Sequence, residues 1–218
     1  NYIAGFIFSF LYYKVDYLFF GSCSAKNWWL NKYPWMKINN CSVHYNGIKI
    51  NPKQKTKNIK SNINISFVGR LEKENNPELF INIAKKYLKY KKNAIFHIFG
   101  DGALLNYLKY NNAEKRILFH GWSKKNKIYK ISDLILITSP INNFPYVALE
   151  AKSFGIPVIS CSKGDIKKII KNGVDGFIKY TNSPDNIIKL IEKVITKYKF
   201  FSKNSLKRAN NFEKKKLV

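Results

Sequence analysis

From position 63 onward one pattern repeats, and it leaves this chain few architectures. A short apolar run of strand formers, closed by glycine or a turn, is followed each time by apolar residues at helical spacing. INISFVG (63–69) precedes PELFINIAKKYLKYKK (77–92), with Pro77 where a helix would start. AIFHIFG (94–100) precedes DGALLNYLKY (101–110), ILFHG (117–121) precedes KKNKIYKIS, and DLILIT (133–138) precedes PYVALEAKSF. PVIS leads to DIKKIIKNG, whose Gly173 occupies a helix C-cap position, and GFIKY leads to the amphipathic PDNIIKLIEKVITKY, opened by Pro184. SKNSLKRANNF adds a terminal helix, and EKKKLV (213–218) is expected to fray. Strands alternating with helices in this way make βαβ units. The expected fold class is α/β, a Rossmann-like doubly wound parallel sheet, with a partial N-terminal segment before it. An apolar fraction of 45% can fill the core of such a sheet and excludes a disordered chain.

The Lys- and Asn-rich stretch NPKQKTKNIKSN (51–62) reads as a linker. It divides a first part, 1–50, from an α/β domain over 63–212, with 213–218 as a tail. The first part is too short for a complete Rossmann-type domain and reads as the end of one. The chain opens on Asn1 and reads as a piece of a longer polypeptide. NYIAGFIFSFLYY (1–13) is apolar for about a dozen residues, where about 20 span a bilayer. A buried or interfacial helix is expected there, with a cut membrane span as the alternative. No signal-peptide cleavage pattern follows it.

Net charge is +26, which invites an anionic partner. However, Lys, Asn, Ile, Phe and Tyr make 120 of the 218 residues, and all five have codons rich in A and T. Only Arg70, Arg116 and Arg208 carry the guanidinium that phosphate and base recognition favours. Much of the charge is therefore read as coding bias on a solvated surface, and the remainder can assist docking on anionic lipid. Nucleic-acid binding would rest on charge alone and is not expected, because Lys is spread along the chain rather than interleaved with aromatics. Cys23, Cys41 and Cys161 have no paired spacing, which indicates a reducing compartment. His97 and His120 alternate within apolar runs and are expected to be packed strand residues. No metal-ligand spacing includes a histidine.

In a doubly wound sheet, ligands bind beyond the carboxyl ends of the strands. Gly69-Arg70, Gly100-Asp101-Gly102, Gly121-Trp122 and the 139–146 turn all fall there. Glycine after a strand is common, so no single one of these identifies a ligand, and the full Gly-x-Gly-x-x-Gly pattern is absent. Taken in order, the motifs are more specific. FVGRLEKENNPELFI, IFGDGALLNYL, ILFHGW, SDLILITSP, NFPYVALEAKSFGIPVIS and IIKNGVDGF resemble the C-terminal, donor-binding domain of GT-B glycosyltransferases, particularly the retaining enzymes of family 4. VDYLFFGSCSAKNWWL and VHYNGI resemble the end of the N-terminal acceptor domain and its crossover.

The resemblance implies a nucleotide-sugar donor, UDP- or GDP-linked, bound as substrate without a metal or other cofactor. The helix beginning near Phe144 would point its amino end, with Asn143, Phe144, Pro145, Tyr146 and Val147, at the diphosphate. Glu150 matches the family glutamate that accepts hydrogen bonds from the ribose hydroxyls, a carboxylate offering two oxygens to a diol. The alternative is a glutamate exposed at a helix edge. Arg70, beside Gly69, matches the basic residue that neutralises the leaving diphosphate, the alternative being an ion pair with Glu72 or Glu74. Gly102 and Trp122 fall where the family lines the donor pocket. Trp122 either packs on the base or serves as a core aromatic.

Three departures from the family stand out. Asn142 stands where a glutamate usually contacts the donor sugar, and Asn143 replaces the glycine after it. An amide can bond a sugar hydroxyl but cannot stabilise positive charge at the anomeric carbon. Asn75 stands where a phosphate-binding lysine is usual, with Lys73 as a substitute if the loop bends. Lys168 replaces a common glutamate, and Asp165 a usual glycine. The expected function is a retaining glycosyltransferase of hexosyltransferase type, or its donor-binding half, acting on a glycan or lipid-linked acceptor. Arg70, Asn142 and Glu150 would be its catalytic set. The alternative is a degenerate or truncated, non-catalytic module that binds nucleotide sugar or a partner. The expected location is cytoplasmic, with the cytoplasmic membrane face as a site of association.

Overall fold

A computed structural model describes residues 15–34, 40–50, 56, 58–59 and 62–213. The apolar opening stretch 1–13, most of the linker 51–62 and residues 214–218 lie outside the described residues. Two parallel strands, β1 (Leu18–Phe20) and β2 (Cys41–Val43), flank helix α1 (Cys23–Lys32). A six-stranded sheet follows, made of β3 (Ile63–Val68), β4 (Ala94–Phe99), β5 (Ile117–Gly121), β6 (Leu134–Ile137), β7 (Val158–Ser160) and β8 (Gly176–Ile178). Helices α2 (Pro77–Tyr90), α3 (Leu105–Tyr110), α4 (Lys125–Ile131), α5 (Tyr146–Ser153) and α6 (Ile166–Ile169) link successive strands. Helices α7 (Pro184–Thr196) and α8 (Tyr198–Ala209) follow the last.

Every neighbouring pair in the larger sheet is parallel, in the order β5-β4-β3-β6-β7-β8. This is the doubly wound α/β sheet that the alternating pattern predicts. Its central strand β6, LILI, is buried along its whole length, as a parallel strand covered by helices on both faces must be. One face packs Phe80, Tyr87 and Phe96 beneath α2 and α7. The other packs Tyr129, Ile137, Leu149 and Ile166 beneath α4 to α6. The strand order reverses between β3 and β6, so connections leave the two halves in opposite directions and a crevice opens at their carboxyl ends.

Local chemistry sets the helix starts. Asn76 adopts a left-handed backbone (φ 49°) and its side chain accepts the Leu79 N–H at 3.3 Å, so that Pro77 enters at the first helical position. Three expectations are corrected. Gly173 does not cap α6, which ends at Ile169, because the buried Ile170 turns extended and Asp175 Oδ1 accepts the Lys171 N–H at 2.8 Å. Gly173 sits four residues further on, in a turn with φ 76°. The terminal helix starts at Tyr198 rather than at Ser202, because Tyr198 is buried and its hydroxyl donates to the Asp133 carbonyl at 2.9 Å. Glu213 does not fray: it bridges Ile48, whose N–H donates to the Phe212 carbonyl at 2.8 Å.

His97 and His120 are packed strand residues, as expected, and they bond each other. His97 Nδ1 lies 2.9 Å from His120 Nε2, and His97 Nε2 lies 3.0 Å from Asn64 Oδ1. Asn64 Nδ2 already donates to Asp133 Oδ2 at 2.9 Å, so Asn64 Oδ1 must accept from His97, and His97 Nδ1 must accept from His120. Protonated His97 would donate from both nitrogens and would require His120 to change tautomer so that its Nε2 accepts. Burial, and then the neighbouring His120, lower His97 from 6.5 to about 4. The folded chain therefore binds fewer protons than the unfolded chain between those values. The stability tied to His97 is complete above pH 6.5 and is lost as pH falls toward 4. Urea unfolding from pH 7 to 4 is predicted to show this loss, and His97→Phe to reduce the slope by about 1.4 kcal/mol per pH unit. An unchanged slope would contradict the assignment.

Candidate functional site at the sheet switch point

The pairing of β3 with β6 runs through Ile65–Leu134 and Ser66–Ile135. Beyond it, at the carboxyl ends, lies a cavity of about 40 Å³. Phe67 and Val68 line it from β3, Leu136, Ile137 and Thr138 from β6 and the residue after it, Asn75 from the β3 loop, and Ser139, Asn142, Pro145 and Val147 from the 139–147 segment. That volume holds about three or four waters. A ligand the size of a nucleotide is too large to enter it. The loop after β3 and the amino end of α5 thus meet at one place, the switch point of the sheet.

The β3 loop is built around backbone contacts. Gly69 N–H donates to the Phe99 carbonyl at 3.0 Å, and Leu71 N–H to the Asp101 carbonyl at 2.8 Å. A Cβ on Gly100 would stand 1.9 Å from the Gly69 oxygen, and one on Gly102 2.7 Å from the Leu71 oxygen. These two glycines let the β4 loop close on the β3 loop, so Gly102 has a packing role here rather than a place in the cavity lining. Arg70 is exposed and forms no ion pair among the described residues; Glu72 instead accepts the Ala103 N–H at 3.1 Å. The alternative of an Arg70 ion pair with Glu72 or Glu74 is not what the structure adopts. Asn75 Nδ2 donates to the Arg70 carbonyl at 2.8 Å, and the Asn75 carbonyl accepts the Thr138 hydroxyl at 3.0 Å. Asn75 thereby ties Arg70's backbone to β6. Lys73 is exposed in a 3₁₀ turn, Lys73–Asn75, and stands outside the cavity lining.

The 139–146 turn is fastened to the segment after β7. Ser162 Oγ donates to the Ser139 carbonyl at 2.6 Å, Lys163 N–H to the Pro140 carbonyl at 2.8 Å, and Asn142 N–H to the Lys163 carbonyl at 2.9 Å. Gly164 permits the approach, since a Cβ there would lie 2.5 Å from the Asn142 oxygen. Asn142 Nδ2 donates to Ser139 Oγ at 3.2 Å, leaving its Oδ1 without a partner among the described residues. Helix α5 starts at Tyr146, two residues after Phe144. Pro145 is at its N-cap, and no side chain accepts from the first turn. Among the described residues the N–H groups of Tyr146 and Val147 have no acceptor. They are free donors at the positive end of the helix dipole.

Glu150 is half-buried, one turn into α5, and its Oε2 accepts the Tyr129 hydroxyl at 2.8 Å. It is neither a freely exposed helix-edge glutamate nor part of the cavity lining. Trp122 is 79% exposed, so it is not a core aromatic. Asn143 is exposed, and Phe144 packs on Tyr45 with ring centroids 4.5 Å apart. Asp165 and Lys168 act elsewhere. Asp165 Oδ2 accepts the Cys23 N–H at 2.6 Å and the Tyr45 hydroxyl at 2.8 Å, and Oδ1 accepts the Ser24 hydroxyl at 2.6 Å. This carboxylate, at the N-cap of α6, meets the first turn of α1 and fixes the segment before the linker to the start of α6. Lys168 Nζ lies 3.2 Å from Cys23 Sγ, and the Tyr45 hydroxyl, followed by the hydrogen bond and charge of Lys168, holds that thiol's pKa below its usual 9.0.

The sequence reading missed the residues that hold α5 in place. Lys152, on the face opposite solvent, is fully buried and ion-paired with the equally buried Asp175, which Arg208 Nε also meets at 2.6 Å. A lysine among the apolar residues of a short buried helix was the signal available for this. Thr138, Ser139 and Ser162 were missed as well; they carry no pattern beyond their place after a strand.

The family profile described as Glycosyl transferases group 1 matches residues 48–216, and this chain belongs to that family. It is 35% identical over 137 residues to a UDP-Gal:alpha-D-GlcNAc-diphosphoundecaprenol alpha-1,3-galactosyltransferase of Escherichia coli, covering 59% of this chain and 35% of the relative. It is 30% identical over 145 residues to a lipopolysaccharide 1,6-galactosyltransferase of Salmonella typhimurium, covering 60% of this chain and 39% of the relative. The chain thus spans little more than a third of the length of these relatives. Its fold matches that of Anabaena Alr3699/HepE, a structure with UDP and glucose bound, at a TM-score of 0.78 and 18% identity, over 91% of this chain and 59% of the other.

The buried ion pair makes a prediction about the platform beneath the site. Lys152→Ala leaves Asp175 buried with Arg208 alone and is expected to cost about 3–5 kcal/mol in urea unfolding. Lys152→Met with Asp175→Asn removes both charges and is expected to recover most of that loss. A cost below about 1 kcal/mol for the single variant would show that the pair does not hold α5.

Proposed function

We propose that the chain binds a UDP- or GDP-linked sugar across the mouth of the switch-point cavity, as the donor half of a retaining glycosyltransferase of hexosyltransferase type. The observation that carries this reading is the convergence of the β3 loop bearing Arg70 with the uncapped amino end of α5. A diphosphate there would meet the N–H groups of Tyr146 and Val147 and the Arg70 guanidinium, which have no partner among the described residues. The reading assigns the leaving charge to those groups, so no metal is required of it. Glu150 would take the ribose, Asn142 Oδ1 a sugar hydroxyl, and Trp122 the base. The galactosyltransferase names of two relatives support a UDP-linked hexose as donor and a glycan or lipid-linked acceptor.

Among the described residues no helix is long and apolar enough to cross a membrane. The unpaired spacing of Cys23, Cys41 and Cys161 supports a cytoplasmic location, and the part of the basic charge not read as coding bias supports association at an anionic membrane face, where a lipid-linked acceptor would be met. The runner-up is a module that binds nucleotide sugar without transferring it. It is favoured by one observation: Asn142 and Asn75 place amides, already engaged with Ser139 and with Arg70's carbonyl, where the resembling enzymes carry charge.

Calorimetric titration with UDP and GDP tests the donor reading. Arg70→Ala and Glu150→Ala are each expected to weaken nucleotide binding by about 10- to 100-fold. No binding at millimolar nucleotide, or binding that ignores both substitutions, would overturn it. Restoring charge with Asn142→Glu and Asn75→Lys separates the two readings in the full-length protein. A gain of transfer from no activity supports the module, and transfer already present in the native sequence supports the enzyme.

A further inference from the structure

Glu150 enters the proposed reading as a carboxylate free to meet a diol, yet one of its oxygens is already engaged. The Tyr129 hydroxyl, from the preceding helix α4, donates to Glu150 Oε2 at 2.8 Å. Tyr129 is 1% exposed, and its ring packs on Phe154, just past the end of α5, at 5.3 Å. Phenol and carboxylate thus belong to two helices locked on the same core cluster. Burial, and then the Glu150 charge, push the Tyr129 hydroxyl's pKa up, so it remains a donor. A glutamate has three side-chain torsions, and ordering them on ligand binding opposes affinity. The phenol sets them before any ligand arrives and leaves Oε1 open.

We infer that Tyr129 is a positioning residue for nucleotide binding: its buried hydroxyl holds the Glu150 carboxylate in one orientation, with Oε1 presented to the ribose hydroxyls. The inference rests on the reading of Glu150 as the ribose ligand. Tyr129 touches no ligand itself. Its effect must pass through Glu150, and it must vanish for a nucleotide that lacks the hydroxyls.

The test compares UDP with 2′,3′-dideoxy-UDP by calorimetry, on the chain as it stands and on Tyr129→Phe, Glu150→Ala and the double variant. Phe keeps the ring against Phe154, so the fold should persist, and thermal unfolding checks that it does. Tyr129→Phe is expected to weaken UDP about 10-fold and to leave the dideoxy compound unchanged. The double variant should bind UDP no worse than Glu150→Ala alone, because both substitutions act on one interaction. Equal weakening of the two nucleotides, or effects that add in the double variant, would overturn the positioning role. If Glu150→Ala lowers the preference for UDP and Tyr129→Phe does not, the role of Tyr129 falls and the ribose assignment stands. If Glu150→Ala leaves that preference intact, both fall.

Discussion

Everything at the candidate site depends on how β3 and β6 part. Their pairing is secured at the amino end, where Asn64 N–H donates to Asp133 Oδ2 at 2.9 Å, Asp133 N–H to the Asn64 carbonyl at 2.8 Å, and Ser66 Oγ meets Ser132 Oγ at 2.6 Å. It runs through two residue pairs, and the cavity opens beyond them. The crossovers leave in opposite directions at this point, so neither connection passes over the gap between the two carboxyl ends and a ligand can approach them. Asn75 and Thr138 then set how wide the opening is, through one hydrogen bond between the two sides.

The free donors of α5 are useful only if the helix cannot shift. Two separate devices hold it. From below, Lys152, Asp175 and Arg208 join α5 to the turn before β8 and to α8, in an environment where breaking the ion pair is costly. At its amino end, the 139–146 turn is stitched to the segment after β7, and Phe144 packs on Tyr45, itself bonded to Asp165. Asp165 and Lys168 here join the segment before the linker to the α/β domain.

The fold was legible because its signals are local and repeated. A buried parallel strand such as LILI can hold little but branched apolar residues, and Asn76-Pro77 announces a helix start by backbone geometry alone. The same pattern put Arg70 after β3 and the 139–146 turn after β6, whereas Asn142 and Glu150 were singled out by the family resemblance. What stayed hidden depends on partners distant in sequence. Gly173 looks like a helix cap until Asp175 takes the Lys171 N–H, and Lys152 looks like one more surface lysine in a chain rich in them. Tyr129 reads as an apolar helix residue, and only the packing of α4 against α5 reveals that its hydroxyl reaches Glu150. The size of the cavity, too, follows from side-chain packing that no motif encodes.

The amino end of α5 and the loop bearing Arg70 are proposed to form one anion-binding cleft for a nucleoside diphosphate. Amide chemical shifts recorded while UDP is added to the isotopically labelled chain test it most directly. The largest changes are expected on the N–H groups of Tyr146 and Val147 and on the residues beside Arg70, with those of β8 and α7 left in place. Saturating changes elsewhere, with the 146 and 147 amides unmoved, would contradict it.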